Sequence, residues 1–111
     1  MNKYRDKSDF EINKAVAEIT IYGDWYLSPT DERPLTFFNY GINSSKTVKL
    51  PDYCSNPADA MPIIIENGIS TIKSSGGWIC CHGAAGVIEH ENLYRAAMIC
   101  FLMMKDAENE K

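Results

Sequence analysis

The stretch Asp52-Tyr53-Cys54-Ser55-Asn56-Pro57-Ala58-Asp59-Ala60-Met61-Pro62-Ile63-Ile64-Ile65-Glu66-Asn67-Gly68-Ile69-Ser70 reads as a helix with both ends marked. Asn56, or Ser55, can accept a hydrogen bond from the free amides of a first turn. Pro57 suits the first helical position, where no amide partner is needed, and Asp59 sits favourably against the positive end of the helix dipole. Asn67-Gly68 supplies a left-handed residue that ends the helix. The reading is a helix over 57–67, with Pro62 deleting one backbone hydrogen bond and bending it.

Upstream, Ser8-Asp9-Phe10-Glu11 has the Ser-x-x-Glu spacing of a capping box. Behind it Ile12, Val16 and Ile19 recur at the spacing of one apolar helical face, with Phe10 and Ala17 at its margins. This predicts a helix over 9–19. Between residues 20 and 51 the signals weaken, because Gly23, Pro29, Pro34 and Gly41 divide the chain and Ser28-Pro29-Thr30-Asp31 carries turn chemistry. Thr36 to Tyr40 and Thr47 to Leu50 have strand composition, so a loose hairpin or an irregular loop is expected there.

Downstream, Ile69 to Lys73 and Trp78 to His82 flank Ser74-Ser75-Gly76-Gly77, which predicts a hairpin over 69–82. Ala84 to Glu91 reads as a loop. The last element starts at Asn92, a capping residue, and carries Leu93, Ala96, Ala97, Cys100, Met103 and Met104 at helical spacing. Ile99, Phe101 and Leu102 make this helix, predicted over 93–105, apolar nearly all round, so its middle should be buried. Lys105 to Lys111 reads as a solvated tail. Helix, weak strands, helix, hairpin, helix is an α+β order: a small antiparallel sheet carrying about three helices, in one domain.

Composition narrows the function classes. The 111 residues are 45% hydrophobic and 23% charged, ordinary globular values. A net charge of −4 without a basic stripe argues against nucleic acid as a partner. No apolar run approaches the roughly 20 residues of a membrane span, and the polar N-terminus lacks the apolar stretch of a secretion signal. The expectation is a cytoplasmic protein whose four cysteines, Cys54, Cys80, Cys81 and Cys100, are reduced thiols.

The segments Ser8 to Ala17, Asp52 to Asn67, the strand at Trp78, and Arg95-Ala96-Ala97-Met98-Ile99-Cys100-Phe101-Leu102-Met103-Met104 together resemble the phage NinX family. More remotely they resemble the phage "ABA sandwich" domains, in which a sheet lies between helices. The resemblance covers roughly two thirds of the chain and is least secure from about Tyr22 to Pro51. It implies a phage or prophage origin, the host bacterial cytoplasm and an accessory role. It carries over no catalytic residues.

Among residues with chemistry, Cys80-Cys81-His82 invites a zinc reading with Cys54 and His90. Adjacent strand residues point to opposite faces, so core thiols beside a surface histidine is preferred, with no metal and no cofactor. His82, His90 and nearby carboxylates are the alternative, a small hydrolase. Trp25, Tyr26 and Tyr40 are candidate binding anchors, since aromatics on loops offer stacking area and a polar tip. Tyr53, Asn56, His82 and Arg95 complete the candidate set; a small ligand such as a nucleotide would stack on Trp25, Tyr26, Tyr40 or Tyr53 and take donors such as Arg95 or Asn56. Trp78 is assigned to the core. The leading expectation is a non-catalytic binding protein that holds a host protein or sequesters a small ligand. A purely structural accessory chain and a homodimer through the last helix stay open.

Overall fold

The N-caps of two helices and a buried polar residue of a third meet at residues 52–56. In the computed structural model, which describes residues 4–20, 24–28, 35–40, 46–83 and 86–109, α1 spans Asp9–Thr20 and α2 spans Pro57–Glu66. The last helix, α3, spans Leu93–Asn109. Asn56 Oδ1 accepts the Ala58 N–H at 3.0 Å and caps α2. Asn92 Oδ1 accepts the N–H groups of Tyr94 at 2.9 Å and Arg95 at 3.3 Å and caps α3. The Asn92 side-chain amide also donates to the Cys54 carbonyl at 2.9 Å, and the Cys54 N–H donates to Asn13 Oδ1 on α1 at 3.0 Å. Both backbone groups of a buried residue are thereby satisfied by asparagines from two different helices, as burial demands.

At the start of α1, the Ser8 hydroxyl accepts the Glu11 N–H and the Glu11 carboxylate accepts the Ser8 N–H, each at 3.1 Å, so the capping box is present. The buried face differs from the predicted one. Ile12, Asn13, Val16 and Ala17 are buried, while Phe10 and Ile19 are exposed. The polar Asn13 takes a core position because its amide is used on both sides, accepting from Cys54 and donating to Asp52 Oδ1. That turns the helix and leaves Ile19 outside. In α2 the i, i+3, i+4 set Ala60, Ile63, Ile64 is buried; the helix runs on through Pro62 and ends before Gly68, whose φ is +64°.

The hairpin is present, as β4 (Ser70–Ser74) and β5 (Gly77–His82) joined through Ser75-Gly76. Gly77 is required there. Its φ is +141°, and a Cβ would stand 2.5 Å from the His90 carbonyl oxygen and from Glu91 Cα. The expected loop over 84–91 is instead a strand, β6 (Gly86–His90), antiparallel to β5 with Cys80 opposite Ile88. The β-branched pair Val87-Ile88 suits a strand, and a neighbouring ladder outweighed the local loop signals around it. The sheet order is β4-β5-β6.

Helix α3 packs against β5 and β6 on one side and against α1 and α2 on another. That is why it is apolar all round: Ala96 through Leu102 are all buried, covered by sheet and helices together. The predicted tail from Lys105 is helical through Asn109. Trp78 is half-buried rather than in the core, with Lys73 Nζ 5.5 Å from its ring centroid.

Between α1 and α2 lies a second antiparallel sheet, β1 (Asp24–Ser28), β2 (Leu35–Tyr40) and β3 (Lys46–Lys49), in that order. The expected pairing of 36–40 with 47–50 is found, with Phe38 opposite Val48. Strand β1 was not expected. The turn residues Pro29 to Asp31 and the link 41–45 lie outside the described residues. No described helix is long and apolar enough to cross a membrane. Three helices with antiparallel sheets make the fold α+β.

Candidate functional site

Of the candidate residues named from sequence, Tyr53, Asn56 and Arg95 are engaged in structural contacts. Trp25 and Tyr26 lie on β1 and Tyr40 on β2; the register sets Trp25 opposite Phe38 and Tyr26 opposite Phe37. Tyr53 is buried, with its hydroxyl 3.2 Å from Thr20 Oγ1, and burial is the main cause raising its pKa. Asn56 is occupied as the α2 cap. The most favourable anion position, the amides it caps, also has Asp59 beside it, whose carboxylate accepts the Asp52 N–H at 3.1 Å.

Arg95 is buried, and its donors are engaged. One guanidinium nitrogen lies 2.6 Å from Asp9 Oδ1, and the other donates to the Arg5 carbonyl at 3.2 Å and to the Lys7 carbonyl. The Tyr4 hydroxyl donates to Asp106 near the far end of α3. These contacts strap residues 4–9 along α3. Arg95 thus builds structure around a different place, one that sequence reasoning did not assemble.

That place is a groove of about 360 Å³ along β6, lined by Val87, Ile88, Glu89 and His90 of the strand, Ile99 and Met103 of α3, and Arg5 from the strapped segment. Its floor is apolar. Ile99 is buried and Met103 and Ile88 are half-buried, so an apolar group entering would leave water against ready-made hydrocarbon. Its strand wall is the outer edge of the sheet, for β6 pairs only with β5 among the described strands. Alternate N–H and C=O groups of such an edge are unspent. The polar groups are few. His90 Nδ1 accepts the Asn92 N–H at 2.9 Å, and the Glu89 carboxylate, beside Gly76, accepts from Ser74 Oγ at 2.8 Å. Arg5 is exposed, and among the described residues no carboxylate pairs with it.

Chemistry of the hydrolytic kind finds little geometry. His82 stands opposite Gly86 and His90 opposite Trp78, at the two ends of the β5–β6 ladder. Four residue steps separate them, roughly 13 Å at about 3.3 Å per residue, too far to share one reacting atom. The three buried thiols are poor nucleophiles: burial, above all, pushes Cys54 and Cys80 up to about 12 and Cys100 up to about 11, with Asp9 adding to the effect at Cys54. Among the described residues no three side chains of metal-ligating type come together. Cys80 and Cys81 do face opposite ways, the first buried and the second half-buried.

The signals that pointed to the groove were thin. Val87-Ile88 was the only strand-like pair in an apparent loop, and Arg5 was one of several scattered basic residues. Comparison with known proteins adds one finding. A family model described as Bacteriophage P22, NinX matches residues 3–105, and the chain belongs to that family. No curated protein and no solved structure matches the chain.

Proposed function

We propose that this NinX-family chain is a phage accessory protein that acts by occupancy, holding a host protein at the β6–α3 groove without turning over a substrate. The observation that carries the reading is the coincidence of an unspent strand edge, an apolar floor at Ile99 and Met103, and a free cation at Arg5 in one groove. A small-ligand reading draws less support. Its donor Arg95 is committed to Asp9 and two carbonyls, and Tyr53 is buried against Thr20. The hydrolase reading lacks a histidine pair within reach of one substrate. Trp25 and Tyr40 are proposed as a second contact with the same partner.

The test is capture of a host protein by tagged wild-type chain, compared with Met103→Glu in the groove and with Ile65→Glu on the exposed face of α2, where Ile65 is 71% exposed. Capture lost with Met103→Glu and kept with Ile65→Glu supports the groove. Capture equal in all three, or a tight nucleotide found by thermal shift with no protein bound, overturns it. If Trp25→Ala with Tyr40→Ala leaves capture unchanged, the second contact is wrong.

A further inference from the structure

We propose that the groove takes an extended peptide segment of its partner as a fourth strand beside β6, with a carboxylate of that segment set against Arg5. This rests on the reading of the groove as the binding site and specifies the kind of ligand.

Edge strands that evolve to stay unpaired carry guards: lysines, prolines, bulges or a covering element. The two edges of the β4-β5-β6 sheet differ in this respect. Strand β4 carries a lysine, Lys73, near the hairpin end; its ammonium leans across β5, donating to the carbonyls of Ser74 at 3.1 Å and Gly77 at 3.2 Å and lying 5.5 Å from the Trp78 ring. On β6, Gly86-Val87-Ile88-Glu89-His90 has no lysine, no proline and a continuous ladder to β5. The one carboxylate of β6 is drawn inward across the hairpin to Ser74, away from the free edge.

A helix or a compact domain would leave the edge amides unpaired and dry, a penalty at every buried group that an added strand avoids. An added strand pairs them and projects every second side chain onto the helix-side face, where the space over Ile99 and Met103 lies. Charge completes the choice. Arg5 sits at the rim, held there by the bond from Arg95 to its own carbonyl and by Tyr4 to Asp106. Its planar fork suits a carboxylate, from an acidic side chain or a chain terminus.

The experiment pans a displayed library of random seven-residue peptides against the folded full chain, with Met103→Glu as the counter-selection. Enriched peptides are expected to alternate apolar residues and to carry an acid or the free terminus at one end. Arg5→Ala should weaken them by about tenfold. N-methylation of a selected peptide should abolish binding at every second position and be tolerated between, the signature of a strand using alternate amides. Uniform tolerance of N-methylation, apolar residues spaced by three and four, or no enrichment over Met103→Glu each overturns the proposal. So does a wild-type dimer that Met103→Glu converts to monomer, since a second copy would then be the occupant. Host-protein capture that still depends on Met103 while these readouts fail leaves the binding function standing and removes only strand addition; loss of both removes the groove altogether.

Discussion

Asn13 accepts the backbone N–H of Cys54 at 3.0 Å across 41 residues of chain, and this bond joins α1 to the segment from which α2 starts. The same amide donates to Asp52 Oδ1 at 3.1 Å. A side chain that is 7% exposed is worth its place here because it satisfies a backbone donor that nothing else reaches.

Asn13→Ala should therefore destabilise the fold by about 1–3 kcal/mol, the penalty for a buried unpaired donor. Ile19→Ala on the same helix, at an exposed position, should change stability far less. Urea unfolding of the two variants decides the matter, and equal losses would mean that the predicted face and not the observed one is buried.

Arg95 ties residues 5, 7 and 9 to α3. Arg95→Met keeps the buried stem but removes all three bonds, with an expected loss of roughly 1–3 kcal/mol, moderated because Asp9 is half in solvent. The more telling readout is local: amide exchange of residues 5–9 should accelerate before that of α3. Arg95→Lys should restore little, since an ammonium lacks the fork that spans a carboxylate and two carbonyls.

Gly77→Ala should cost about 1–3 kcal/mol, because φ of +141° and contacts of 2.5 Å to the backbone at His90 and Glu91 leave a methyl no room. Gly76→Ala, where the nearest atom is the Glu89 carboxylate at 3.8 Å, should be close to neutral. Thermal unfolding of the pair tests whether the end of β6 is seated against the hairpin turn.

The buried thiols make stability fall at high pH. Cys54 and Cys80 are held near 12 and Cys100 near 11, above the ordinary value of 9.0, so the folded chain keeps protons that the unfolded chain gives up. With the folded pKa raised, the full stability is present below about pH 9 and is lost as pH rises towards 12. A triple Cys→Ala variant, though less stable at pH 7, should show a shallower decline over that window. At pH 8 a thiol reagent should modify Cys81 first, since it alone of the four is not fully buried.

Local signals carried far in this chain. Both cap asparagines, the capping box at Ser8, the stop at Gly68 and the hairpin over 69–82 rest on interactions within a few residues, and each is found where it was read, though Ser74 and Gly77 belong to the strands and not to the loop. The misses share a cause. Strand β6 was read as a loop because Val87-Ile88 becomes a strand by pairing with Cys80 and Cys81, and a ladder partner leaves no mark in the strand itself. Strand β1 was missed in the same way. The α1 face was read from Ile12, Val16 and Ile19 without Asn13, because a buried asparagine is justified only by partners 39 and 41 residues away.

By itself the sequence determined the α+β class, the family and the ends of the helices, because capping and periodicity are short-range physics written within one turn or one strand. It also determined that α3 would be buried, since a helix apolar on every side has no face to offer water. What lay beyond it was which side of α1 turns inward, which strand stands at the free edge, and where Arg5 ends up. Those were decided by tertiary structure alone. Arg95 reaches Asp9 across 86 residues, and the bonds from that buried guanidinium to the chain carbonyls hold Arg5 at the groove that Met103 also lines. The groove exists only once α3, β6 and the strapped segment are packed, and no stretch of the chain contains it.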